Sequence, residues 1–123
     1  MSNKEAAKSF LKLAAAGHVQ EAYDKHVAST FIHHNPHFVG NRQSLLTAMA
    51  DASRQSPNKS LEIKQLFEDG ETVIAHSLVT RGDPAAPGIA VIHILRFANG
   101  QIVELWDLAQ PLAKDSPNEN GMF

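Results

Sequence analysis

The sequence predicts an α+β fold in which three N-terminal helices cover one face of a single curved antiparallel sheet. Apolar residues recur at helical spacing as far as about Gln55, and from Lys59 onward the period changes to two. The joints between the later apolar runs are short and rich in turn residues, which makes those runs a meander. At 123 residues and 43% hydrophobic, the chain is one domain with material for its own core. The domain is expected over residues 1–110, and the polar stretch 111–123 reads as a partly disordered tail.

Between Asn3 and Ala16, Ala6, Ala7, Phe10, Leu13 and Ala14 form an amphipathic stripe, and Gly17 stops it. His18 to Val27 reads as a second, shorter helix with Val19, Ala22, Tyr23 and His26 on one stripe. Ser29 to His34 is β-branched and aromatic until Asn35-Pro36 breaks it, so it reads as a short extended piece entering a loop that Gly40 closes. A third helix is expected from Arg42 to Gln55, with Asn41 as its N-cap and Leu45, Leu46 and Met49 facing inward. Four strands follow: Ser60 to Glu68, Thr72 to Arg81, Ile89 to Ala98 and Gln101 to Gln110. Asp69-Gly70, the run from Gly82 to Gly88, and Asn99-Gly100 are the turns.

Composition excludes several function classes. Eleven basic against thirteen acidic residues give a net charge of −2 with no basic run, so nucleic-acid binding is not expected. The absence of cysteine removes disulfide, thiolate and Cys-ligated metal chemistry. Neither a leader pattern nor a membrane-length apolar window occurs, which fits a soluble, cytoplasmic protein with no membrane partner. Glycine-rich nucleotide loops and a serine nucleophile elbow are also missing, so no cofactor is expected. Seven histidines stand out, because imidazole titrates near neutral pH.

The register of the last hairpin decides which polar residues share a face. A two-residue turn at Asn99-Gly100 pairs residues whose numbers sum to 199, whereas a three-residue loop gives 198 and the opposite faces. The three-residue loop is preferred, because it leaves His93 and Asp107 as the only polar residues on a face with Val91, Leu95, Val103, Leu105 and Ala109. It also sets Arg96 near Glu104 on the other face, with Ile92, Ile94, Ile102, Trp106 and Leu108. A carboxylate and an imidazole on an apolar wall suit proton transfer, since desolvation and mutual charge move both groups from their solution behaviour. The competing reading is a buried pair that only ties two strands together.

His33, His34 and His37 invite a metal reading, but an extended segment turns His33 and His34 to opposite faces and Asn35-Pro36 prevents a helix. No metal is expected; His34 is read as the inward member of the pair. His76 lies in a strand apolar on both faces, so it is either a core histidine or a pocket histidine that contacts the ligand. Tyr23 is either a hydroxyl presented to a cavity or amphipathic core. Phe31, Phe38 and Leu105 are candidate cavity walls, Phe10, Leu45 and Met49 core, and His18 and His26 solvated helix residues.

The element order, together with Phe31-Ile32-His33-His34-Asn35-Pro36, Val73-Ile74-Ala75-His76 and the ending His93-Ile94-Leu95-Arg96 through Trp106-Asp107-Leu108, resembles the SnoaL-like branch of the nuclear transport factor two-like superfamily. The superfamily also contains ketosteroid isomerase and polyketide cyclases, and its fold is a cone. The resemblance implies a cavity-facing His34 and an acid/base Asp107. Members of the branch usually carry aspartate where this chain has His93. The expected function is therefore proton abstraction beside the carbonyl of a small, mostly apolar compound, with Asp107 as base, His93 tuning it or shuttling the proton, and His34, with Tyr23 as a further candidate, stabilising the oxyanion. A non-catalytic binder of a small apolar ligand and a limonene-type epoxide hydrolase are the alternatives. Ile92, Ile94, Ile102, Trp106 and Leu108 would form an exposed patch on which a homodimer assembles, unless the tail folds back over it.

Overall fold

A computed structural model describes residues 1–123. Helix α1 spans Asn3–Ala15 and α2 Val19–His26; strand β1 is Val27–His33, helix α3 Arg42–Gln55, and strands β2 to β5 are Ser60–Asp69, Thr72–Thr80, Ile89–Ala98 and Gln101–Pro111. Ser2 caps α1 in a capping box with Glu5, and Gly17 follows with φ of 92°, a left-handed exit suited to glycine. Asn41 caps α3 by accepting from the Ser44 N–H at 2.8 Å. The Arg42 guanidinium then reaches back to the carbonyl of Tyr23 at 3.1 Å, satisfying the end of α2.

The sheet has five strands, not four, in the order β1-β5-β4-β3-β2. The extra strand is the segment after α2, which starts at Val27 and runs parallel to β5 along the sheet edge. Its partner lies some seventy residues further along the chain, so no turn signal marks the pairing. The other three pairings are antiparallel as expected. Bulges between Ile63 and Gln65, and opposite Arg96 and Phe97, bend the strands, and the sheet is curved and unclosed.

The β4–β5 turn corrects the expected register. Asn99 and Gly100 have φ of 53° and 78°, so both occupy the left-handed region and form a two-residue turn, with Ala98 paired to Gln101. One extra residue, Val103, is then inserted opposite the Arg96–Phe97 step, and beyond it the pairs become Arg96 with Glu104 and His93 with Asp107. The turn and the bulge each shift the register by one. Together they restore the expected faces for residues 104–111, while Ile102, expected outside, points inward and is fully buried.

The core fills the space between the concave sheet face and the helices. Phe10, Leu11 and Ala14 of α1 and Val19, Ala22 and Tyr23 of α2 pack with Phe31, Leu45 and Leu46, and with Val73, Leu95, Phe97, Ile102 and Leu105 of the sheet. No helix is long and apolar enough to cross a membrane. Beyond β5 the chain has no regular structure, but it returns to the sheet: the Phe123 ring stacks on His76 on the convex side, with centroids 5.0 Å apart.

Candidate functional site

Between α1, α3 and the concave sheet lies a cavity of about 270 Å³, and fifteen of its nineteen lining residues are hydrophobic. The four that are not are Asn35, Lys59, His93 and Asp107. A mostly apolar pocket with a few converging polar groups is the usual form of a small-molecule site. Leu105, Phe38, Phe10, Leu45 and Met49 line its walls. Phe38 is a half-exposed part of the rim.

His93 and Asp107 are direct cross-strand partners, so their side chains leave the sheet side by side into the cavity. They are not hydrogen-bonded to each other. Asp107 Oδ2 accepts from Asn35 Nδ2 at 3.1 Å, while the buried Nδ1 of His93 has no partner. Burial pushes the His93 imidazole down to about 4; the Asp107 carboxylate opposes this and the Lys59 ammonium adds to it. At neutral pH His93 is therefore an uncharged imidazole beside an apolar volume.

Asn35 owes its position to His33. The Asn35 N–H donates to His33 Nδ1 at 3.1 Å, which leaves His33 Nε2 to donate to the Val39 carbonyl at 2.7 Å. Asn35 Oδ1 in turn accepts from the His37 N–H at 2.9 Å, an Asx turn that aims the amide nitrogen at Asp107. His33 is the buried member of the His33/His34 pair and fixes the loop; it does not line the cavity.

Several expected site residues lie elsewhere. His34 sits on the convex face, stacked on Trp106 at 4.8 Å and 2.6 Å from Glu104 Oε2, because strand alternation sends it opposite to His33. Glu104 also accepts two bonds from Arg96, at 2.9 and 2.7 Å, and these donors hold its carboxyl below the usual range, His34 first and Arg96 second. His76 also faces outward, since its neighbours Ala75 and Ser77 take the inner face; it contacts Gln65 and Phe123. Tyr23 is core: its ring packs edge-on against Phe10 and Phe31, and its hydroxyl donates to the Met49 sulfur at 3.1 Å. Burial raises the Tyr23 hydroxyl well above its usual range, so it stays protonated. Phe31 lies beneath α2, outside the cavity lining. His26, expected in solvent, is buried and bonded to Ser9 at 2.8 Å. No three histidine or acidic side chains converge in a way that would hold a metal.

Sequence reasoning passed over two of the four polar lining residues. Asn35 read only as a turn former, although an Asx turn occupies the side-chain oxygen and leaves the nitrogen to reach outward. Lys59 carried no signal, because its place depends on where the loop after α3 delivers the chain to β2.

The chain is a cone-shaped α+β shell around an apolar pocket, and residues 7–105 match the model of the SnoaL-like domain family. The chain belongs to that family, within the nuclear transport factor two-like superfamily. Among solved structures it is similar to an uncharacterized cystatin-fold protein from Novosphingobium aromaticivorans, with a TM-score of 0.75 and 22% identity over 88% of this chain and 98% of that one. A "putative polyketide cyclase" from Bacillus cereus aligns with a TM-score of 0.72 and 25% identity, over 85% and 72% of the two chains. A similarly named protein from Acidithiobacillus ferrooxidans gives 0.71 and 21%, over 89% and 92%. No curated protein matches the chain.

Proposed function

We propose that the protein is an enzyme that abstracts a proton next to the carbonyl of a small, mostly apolar compound, as in isomerisation, cyclisation or aldol chemistry. The observation that carries this reading is the unsaturated pair on the cavity wall: Asp107, held by a single Asn35 donor, beside a His93 whose Nδ1 has no partner. Asp107 is the base. Asn35 and neutral His93 are the donors within reach of the developing oxyanion, a role that His34 and Tyr23 do not fill from their positions. The named cyclases among similar structures support the same chemistry. We further propose that the convex sheet face pairs with a second copy, since Ile32, Phe67, Ile74 and Leu108 are exposed on it.

The test is hydrogen exchange at the α-carbon of 2-tetralone, an apolar ketone, followed by proton NMR in D2O. Exchange above the buffer rate is expected, and Asp107→Asn should lower it about a hundredfold or more, the usual contribution of a placed general base. Saturable binding of the ketone with no exchange would instead make the protein a binder. Hydrolysis of limonene oxide without ketone exchange would make Asp107 a water activator.

A further inference from the structure

Lys59 is the one cation lining the cavity, and no acid answers it. Of the four salt bridges in the molecule, none involves Lys59 or its neighbour Arg81, so Asp107, the only carboxylate lining the cavity, does not pair with it either. Its backbone N–H bonds the Ser56 carbonyl at 3.1 Å, closing the turn that places the residue at the start of β2. Burial and the like charge of Arg81 both disfavour the ammonium there. Lys59 is thus a partly buried cation at an apolar cavity, with no acid of the chain within salt-bridge distance.

No salt bridge joins the two charges. Asp107 is on β5 and Lys59 immediately precedes β2, so β4 and β3 lie between them in the order of the sheet. We propose that Lys59 anchors a carboxylate on the ligand, so that the compound bound in this cavity is a small apolar acid whose anionic end points to Lys59 and whose carbonyl end meets Asp107 and His93. A lone ammonium without a guanidinium fork or a row of backbone N–H groups suits a monoanion better than a phosphate. Repulsion from Asp107 enforces the same orientation, because the carboxylate is driven from the end of the cavity where proton abstraction takes place. The inference rests on the cavity being the ligand site proposed above.

The experiment compares 4-phenylbutyrate with its neutral amide, two probes of one shape and different charge, titrated by NMR at pH 7 into the native protein and its variants. The acid should bind about tenfold tighter than the amide, the scale of a hydrogen bond to a charged group. Lys59→Met should erase that preference and leave amide affinity unchanged, Lys59→Arg should keep most of it, and the melting temperature of each variant should verify folding. Equal affinities in the native protein, or a preference that survives Lys59→Met, would overturn the inference. If the amide binds and tetralone exchange persists without acid preference, the anchor alone is wrong. A Lys59-dependent preference with exchange unaffected by Asp107→Asn would leave the anchor standing and sink the catalytic reading. If no probe binds, both fall.

Discussion

The two faces of the β4–β5 hairpin carry similar residues and use them differently. On the convex face, His34, Glu104, Arg96 and Trp106 form a closed set, in which every charge has a partner between 2.6 and 2.9 Å away and the imidazole is stacked. On the concave face, His93 and Asp107 stand side by side without bonding, and one imidazole nitrogen is buried and unanswered. A network that satisfies itself has its stability as its product. The concave pair leaves His93 Nδ1 without a protein partner on the cavity wall, which is the capacity the proposed chemistry would use.

Apolar residues give the sharpest test of that contrast. Leu105 is 3% exposed on the concave face and Leu108 63% exposed on the convex face, three positions along one strand. Leu105→Ala should cost about 2–5 kcal/mol in urea unfolding, and Leu108→Ala, at concentrations where the chain is monomeric, within about 0.5 kcal/mol. Similar losses in the monomer would mean that the tail covers Leu108.

Assembly is the next largest effect. Trp106→Glu places a charge in the middle of the proposed dimer face, so sedimentation should show a dimer for the native chain and the 13.4 kDa monomer for the variant. Removing Met122 and Phe123, which lie against the His76, Ile92 and Leu108 surface, should strengthen dimerisation if the tail competes for that face. A native chain that is monomeric at micromolar concentration would contradict the pairing.

The histidines separate by pH. The folded value of His93 lies below the unfolded one, so between about 6.5 and 4 the unfolded chain binds more protons, and stability falls as pH falls through that window. Buried His26 acts with the same sign. His93→Gln should flatten the decline in melting temperature, measured from pH 7 to pH 4. A decline unchanged in that variant would show that His93 is not held neutral by the fold.

The smallest effect is expected at the convex ion pair. Arg96→Ala removes one partner of an exposed bridge and should change stability by no more than about 1 kcal/mol, with tetralone exchange unaffected. Loss of exchange in this variant would link the convex face to the cavity.

Local signals were enough for the three helices, the four meander strands, the Asn41 cap and the turn positions, because periodicity, caps and turn residues are properties of a few adjacent positions. The facing of His93, Leu105 and Asp107 followed from alternation, although a two-residue turn and a bulge at Val103 replaced the three-residue loop. Alternation also required His33 and His34 to diverge, but which of them turned inward depended on β1 joining β5 as a parallel edge strand. The same long-range pairing put Asn35 beside Asp107, and the path of the loop after α3 brought Lys59 to the cavity. Tyr23 and Phe31 satisfied the same apolar pattern whether core or wall, and only the packing of α2 over the sheet enclosed them. Local chemistry thus determined the elements and most of their faces. The tertiary structure alone decided which groups meet across some seventy residues of chain, because those contacts depend on packing and chain closure that no short window of sequence contains.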